Sequence, residues 1–308
     1  MQALRIALVG IGKIARDQHL PAIAADPAFE LVATVSRHGG VDGVRNFGSI
    51  EELVASDVTI DAVSLCTPPA GRHAIAAPAI AAGWHVMLEK PPAVTLGDVE
   101  DLIARAERAG ITLYVSWHSR AAAGVDSARR WLAQRAIRAV RIEWLEDIRQ
   151  WHPGQEWILA PGGFGVFDPG INALSILTTI LPGAVRIDRA VLDVPANRTA
   201  PVAARLTGHC GEADLAVRLD FLKTGDQQWT IDVDTDSGKL RLSEGGAVCT
   251  IDGAAMETES TGEYPRLYHR FRQLVAERRS DVDLNPLRIV ADALLVAETI
   301  RTDSFDFE

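Results

Sequence analysis

The chain has 308 residues, 47% hydrophobic and 23% charged, a globular balance that excludes a disordered chain and suits two domains at roughly 150 residues each. Lys and Arg number 31 against 41 Asp and Glu, and the net charge of −10 excludes a nucleic-acid or anionic-membrane surface as the principal partner. Cys66, Cys210 and Cys249 are far apart in no CxxC pattern, which argues against a disulfide framework or a structural zinc and points to the cytoplasm. The apolar run 6–12 is too short for a secretory signal, and the stretch 74–88, broken by Pro78, Gly83 and His85, is too short to span a bilayer. The expectation is a soluble cytoplasmic protein.

Short apolar runs alternate with helical patterns over the first third. Leu4–Val9 reads as a buried strand ending at Gly10, and Lys13–Ala25 as a helix. Leu31–Val35 is a strand, Ser49–Ala55 a helix, and Asp61–Leu65 a strand stopped by Thr67-Pro68-Pro69. A helix over 71–82 leads to the strand His85–Leu88, stopped by Pro91-Pro92. Thr95 with Asp98 three residues later resembles a capping box for a helix over 96–109, and Ile111–Ser116 closes the series. This alternation predicts an α/β, doubly wound parallel sheet of Rossmann type over residues 1–120.

The pattern then changes. A helix near 122–134 precedes the alternating strand Val140–Leu145, a loop rich in Trp, Pro and Gly (149–166) and a helix starting near Pro169. Strands follow at 187–194, 202–207, 214–222, 228–235, 239–243 and 247–251, then helices over 264–278 and 286–300. Alternation such as Val217-Arg218-Leu219-Asp220-Phe221 predicts one buried and one wet face. Residues 121–308 are expected to form an α+β domain for substrate binding and oligomerisation with a large open, mostly antiparallel sheet, its C-terminal helix free to pack back on the first domain.

Gly10-Ile11-Gly12-Lys13-Ile14-Ala15 matches G-x-G-x-x-G/A between the first strand and the first helix, the context a dinucleotide requires. Gly10 allows the tight turn, Gly12 the approach of the pyrophosphate, and Ala15 close helix–strand packing, while the helix N-terminus offers free N–H groups. The next strand runs into Ser36-Arg37-His38, with no acid to hold a ribose 2′-OH. Ser36 can donate to a 2′-phosphate and Arg37 can clamp it, so NADP is expected, with NAD as the alternative.

Cys66-Thr67-Pro68-Pro69 and Glu89-Lys90-Pro91 stand at C-terminal ends of predicted strands, where ligands bind in open α/β sheets. With the Gly10 loop they resemble the Gfo/Idh/MocA oxidoreductase family over nearly the whole chain. That resemblance implies a Rossmann domain followed by an α/β domain with a large open sheet. It implies that Lys90 reaches both nicotinamide and substrate. Cys66, Thr67, Pro68 and Glu89 are expected around the dinucleotide, and His73, at a helix start, is a further candidate.

The family's other signature, D-x-x-x-H opening a helix, is supplied by Asp168-Pro169-Gly170-Ile171-Asn172. Spacing of four puts Asp168 and Asn172 on neighbouring helix positions, with Pro169 suited to the first turn. Asp168 also reads as a helix cap. Asn172 replaces the commoner histidine and cannot act as a base at neutral pH, so it is expected to orient a hydroxyl. The proton acceptor is then Asp168, Lys90 or a water.

Residues 10–19, 116–120, 151–157 and 165–172 are similar to the bacterial aldose 1-dehydrogenases of this family, most of all to those acting on L-arabinose and D-galactose. Those sugars share configuration at ring carbons 2 to 4. The resemblance implies oxidation of a pyranose at C1 to a lactone, with hydride passing to NAD(P)+, and a homodimer formed by pairing the open sheets.

The residues suit a sugar without the name. Trp151, His152 and Trp157 lie on a loop before Asp168, preceded by Glu146 and Asp147. Sugars present hydroxyls at their edges and C–H groups on their faces, which carboxylate, imidazole and tryptophan match. The expected substrate set is Lys90, His118, Glu146, Trp151, His152, Asp168, Asn172 and Trp229, with no metal. Trp131 and Trp144 are expected in the core, and the basic stretch Arg129–Arg141 on a solvated face. Two alternatives stand beside this reading: another sugar or inositol dehydrogenase on the same fold, and a regulator that binds dinucleotide without catalysis.

Overall fold

The structure, a computed structural model, describes residues 3–181, 183–258 and 261–307. It divides into two compact units. One runs to His118 and takes in Tyr264–Leu284; the other comprises Ser119–Glu263 and the chain from Asn285 onward. Residues 264–284, far along the part expected to form the second domain, thus belong to the first unit. The helix Glu263–Glu277 brings Tyr268 edge-on to Phe29 at 5.2 Å and stacks Phe271 on Tyr114 at 6.1 Å.

The first unit is built on six parallel strands: β1 (Leu4–Val9), β2 (Phe29–Val35), β3 (Arg45–Phe47), β4 (Ala62–Leu65), β5 (His85–Glu89) and β6 (Leu113–Ser116), in the order β3-β2-β1-β4-β5-β6. This is the doubly wound sheet that the sequence pattern predicts. Runs such as Ile6-Ala7-Leu8 and Val86-Met87-Leu88 are fully buried, as strands of a sheet covered on both faces must be. The short β3 is unexpected, because three residues with only Phe47 buried give no periodic signal. Strand order reverses between β1 and β4, whose register pairs Val9 with Leu65. Gly10 and Cys66 therefore leave the sheet side by side, at the switch point where such sheets bind ligands.

Two helices of this unit matter for the site. Thr95 accepts the Asp98 N–H at 3.1 Å and caps Leu96–Ala109, a device worth about 1 kcal/mol. The helix after Gly12 contains one wide π-type turn, Ala15–His19, before its α-helical part Leu20–Ala25. The wide turn leaves His19 fully buried.

The second unit holds β7 (Ile137–Leu145), β8 (Val185–Pro195), β9 (Ala203–Cys210), β10 (Ala213–Asp220), β11 (Gln228–Thr235), β12 (Gly238–Ser243), β13 (Val248–Ile251), β14 (Ala254–Ala255) and β15 (Ala297–Thr302). They form one sheet, β14-β13-β12-β11-β7-β10-β9-β8-β15, antiparallel except where β7 meets β10 and β8 meets β15. Its inner face buries Val140, Ile142 and Trp144, Leu215, Val217 and Leu219, and Ile231 and Val233. The outer face carries charged pairs such as Arg241–Asp232 and Arg205–Asp193. A Cβ on Gly170 would lie 2.5 Å from Leu219 Cδ1, so glycine there lets the helix Phe167–Ile180 approach the sheet closely. Trp131, expected in the core, is half-buried with the Arg135 guanidinium 3.8 Å over its ring.

The last helix is shorter than the span 286–300. It ends at Leu295, and β15 follows it to pair with β8. Thr299, Ile300 and Thr302 are β-branched, and an open strand edge gives their backbone a partner that a weakly favoured helix could not outbid. Among the described residues no helix is long and apolar enough to cross a membrane.

Candidate active site

The glycine loop is built for close backbone approach. Gly10 turns with φ +88°, and a Cβ there would meet Thr67 Cγ2 at 2.9 Å and the Thr67 backbone nitrogen at 3.0 Å. Gly12 has open space where a side chain would stand, and Ala15 is fully buried beside Leu8, Ile11 and Cys66. Thr67 Oγ1 is buried with no hydrogen-bond partner among the described residues. An orphaned hydroxyl beside a bare loop at a helix start fits the pyrophosphate of a dinucleotide. The Gly10 N–H is spent on the Val35 carbonyl at 2.9 Å, so Gly10 serves the turn, and Ile11, Gly12, Lys13 and Ile14 would hold the pyrophosphate through backbone N–H groups, since the Lys13 and Ile14 side chains are exposed and Lys13 is paired with Asp17.

After β2, Ser36 Oγ accepts the His38 N–H at 3.2 Å, and Asn46 donates to the Ser36 carbonyl at 3.0 Å. Arg37 and His38 are exposed, and no carboxylate ends the strand.

Lys90, half-buried, follows β5 with a cis bond to Pro91. Glu89 before it faces inward at 4% exposure. Its Oε1 accepts from His19 Nε2 at 3.0 Å, from Ser116 Oγ at 2.9 Å and from the Tyr264 hydroxyl at 2.9 Å; Oε2 accepts the Lys90 backbone N–H at 3.1 Å. His19 Nδ1 meets the Tyr268 hydroxyl at 2.8 Å and Ser64 Oγ at 3.3 Å. Burial alone would raise the Glu89 pKa, but the His19 hydrogen bond and charge, His118 and Tyr264 together bring it down to about 2. Burial likewise opposes a charge on His19, yet Cys66, Tyr268 and Glu89 around it hold its pKa well above the usual imidazole value. The pair is therefore charged in the interior, with hydrogen bonds to offset desolvation. Glu89, expected at the dinucleotide, instead spends its carboxylate on four protein donors, because the interior offers it a cation and hydroxyls.

A second buried charge joins the two signature loops. Arg72, 2% exposed, donates to the carbonyls of Thr67, Glu89 and Pro91. One guanidinium fork thus ties the β4 loop to the β5 loop. His73 beside it bonds Asp101 at 2.7 Å, a tie between two helices. Pro68 is exposed, and the His118 ring stacks on Tyr264 at 5.8 Å.

The second unit gathers its own polar cluster. Glu146, immediately after β7, is 5% exposed and accepts from Trp229 Nε1 at 2.7 Å. His152 Nε2 lies 3.5 Å from the same carboxylate, its ring edge-on to Phe221. Trp151 is exposed, donates to Gln227 and stands edge-to-face with Trp229 at 5.5 Å. Trp229 pairs with Trp144 across the strands, which places it on the sheet's inner face. Asp168 is buried in the first turn of the helix Phe167–Ile180, with Val166 rather than Asp168 at the cap; Asn172 is half-buried one turn on.

His19, Arg72, Tyr264 and Tyr268 are the residues that sequence reasoning misses. His19 closes the motif-bearing segment 10–19, and Arg72 is a lone charge at the start of an apolar helix. Nothing local marks the tyrosines, whose partners lie 175 and 249 residues away.

A family model described as an oxidoreductase family with an NAD-binding Rossmann fold matches residues 4–117. Galactose 1-dehydrogenase of Pseudomonas fluorescens is 44% identical over 307 residues, 99% of this chain and 99% of that protein. The crystal structure of a D-galactose-1-dehydrogenase protein from Rhizobium etli matches at a TM-score of 0.95 and 48% identity, covering 99% of each chain. A 3-ketoreductase from Actinomadura kijaniata in complex with NADP and TDP-benzene matches at a TM-score of 0.84 and 19% identity, over 98% of this chain and 100% of that one, and shares the fold. The chain belongs to the Gfo/Idh/MocA oxidoreductase family.

Proposed function

From that membership we propose that this protein is an aldose 1-dehydrogenase that takes D-galactose or L-arabinose as a pyranose, oxidises C1 to the lactone and prefers NADP. The observation that carries the reading is full-length similarity to two galactose 1-dehydrogenases, at 44% and 48% identity. The cluster of Glu146, His152, Trp151 and Trp229 agrees with it chemically, joining a buried carboxylate to aromatic faces.

A bound nicotinamide supplies the hydride acceptor. The chain's residues bind, orient and move the proton. As C1–H leaves with its electron pair, the C1–O–H proton passes to Lys90 or Asp168, directly or through a water, and the carbonyl forms. The backbone of Lys90 is fixed by Glu89, and Asp168 sits in a buried first helical turn. Asn172 and Glu146 hold ring hydroxyls with His152, and His118, Trp151 and Trp229 complete the sugar contacts. Correct placement supplies much of the acceleration. Ser36 and Arg37, in the absence of an acid after β2, support NADP. The protein is read as cytoplasmic and as a homodimer paired through the open face of the nine-stranded sheet.

The test is the initial rate of NADPH formation with L-arabinose, D-galactose, D-xylose, D-glucose and myo-inositol, repeated with NAD+. Turnover led by L-arabinose or D-galactose is expected. A flat panel alongside tight NADP binding overturns the reading in favour of a non-catalytic regulator.

A further inference from the structure

Phe305, beyond the last strand, is 5% exposed. Its N–H donates to Asn197 Oδ1 at 2.9 Å, and its carbonyl accepts from Asn197 Nδ2 at 3.2 Å and Arg198 Nε at 2.9 Å. Asp306 accepts from the same two side chains at 3.1 and 3.3 Å. The Phe305 ring lies 4.9 Å from the Arg149 guanidinium, a cation–π contact, and 5.3 Å from Phe307.

The connector that holds this tail also grips the loop between Glu146 and Asp168. Arg198 donates to Glu156. Thr199 donates to the Leu159 carbonyl from its N–H at 3.3 Å and its hydroxyl at 3.1 Å, and the Pro201 carbonyl accepts the Val166 N–H at 2.7 Å. Arg149, Glu156, Leu159 and Val166 are spread along the loop that carries Trp151, His152 and Trp157. The loop's own regular structure is two short helical turns, Ile148–Trp151 and Glu156–Leu159, joined by local turn hydrogen bonds, and the ties to 198–201 add to these. The Arg198 side chain is only 16% exposed, whereas Glu156 and Asp306 are 57% and 66% exposed, so its ion pairs are solvent-screened and its hold rests on the geometry of the fork.

We propose that the C-terminal tail is part of the substrate apparatus: Arg198 and Phe305 are positioning residues that hold the loop 148–166 in its sugar-binding form. The identity of the ligand rests on the aldose reading above; the coupling of tail to loop does not.

Phe305→Ala and Arg198→Ala are compared with the unaltered protein and with Arg198→Lys, which keeps the charge but loses the fork. Loss of the clamp should raise the KM for D-galactose about tenfold while kcat and the NADP dissociation constant change less than about twofold, with partial rescue in Arg198→Lys. Hydrogen exchange should quicken at amides 149–163 and stay unchanged in the first unit. Unchanged KM with intact loop protection overturns the proposal. So does a loss of protection and dinucleotide affinity spread over the whole chain, the signature of general destabilisation. If the unaltered protein turns over no aldose, the aldose reading fails, and exchange alone decides the clamp: quickening confined to the loop supports it, and any other pattern overturns it.

Discussion

Glu89 and His19 form an ion pair at 3.0 Å in the interior of the first unit, and the same carboxylate accepts the backbone N–H of Lys90. Lys90, one of the two residues proposed for proton transfer, is thus anchored through its backbone to the helix that follows the glycine loop. Glu89→Gln leaves a buried imidazolium without its counter-charge and should cost about 3–5 kcal/mol. Urea unfolding measures this. A loss under about 1 kcal/mol would mean that the pair does not bear on stability.

The same pair sets a pH window. The Glu89 pKa is depressed to about 2, so its contribution is complete above the unfolded value of 4.5 and disappears as pH falls through about 2. The His19 pKa is raised, so its contribution is complete below 6.5 and is lost as pH climbs through the higher folded value. The pair therefore stabilises most between about pH 4.5 and 6.5. Thermal midpoints of the protein and of His19→Gln should lie furthest apart there and converge towards both extremes.

Lys90→Ala and Asp168→Asn should each lower kcat on the order of 10²–10⁴-fold if these groups move the proton. Dinucleotide affinity of Asp168→Asn should hold. Retained turnover in both variants would remove the proton-transfer role.

Gly10→Ala places a Cβ 3.0 Å from the Thr67 nitrogen at a positive φ. Strain of about 1–3 kcal/mol follows. Dinucleotide titration should show weakened binding to match. The matching change at Gly12, where space is open, should leave the apoprotein's melting temperature in place and weaken binding only.

Arg37→Ala should weaken NADP on the order of ten- to a hundredfold, the value of charge-assisted bonds to a phosphate, and leave NAD unchanged. Equal effects on the two nucleotides would dismiss Arg37 as the discriminating residue.

Strands β1, β2, β4, β5 and β6 were legible because each is a short, mainly apolar run, closed by Gly or Pro at β1, β4 and β5, a signal carried by its own residues. So were the glycine loop, Glu-Lys-Pro and the Asp168 turn. What escaped depends on partners distant in sequence. β15 is a strand because β8 offers it an edge, and the inward turn of Glu89 follows from His19 and Tyr264, 70 and 175 residues away. Arg72 carries no local signal because its three acceptors are backbone carbonyls, which every residue possesses.

The assignment of Tyr264–Leu284 to the first unit has a consequence for synthesis. A nascent chain halted after residue 250 already contains every strand of the six-stranded sheet, but Glu89 lacks the Tyr264 hydroxyl and His19 lacks that of Tyr268. At about 5–20 residues per second, the ribosome needs roughly 7–30 s more to deliver them after β6 has been made. The N-terminal unit cannot finish first. Its interior charges wait, incompletely solvated by protein, until almost the whole polypeptide exists, so a fragment cut at residue 120 should be a poor folder despite its complete sheet.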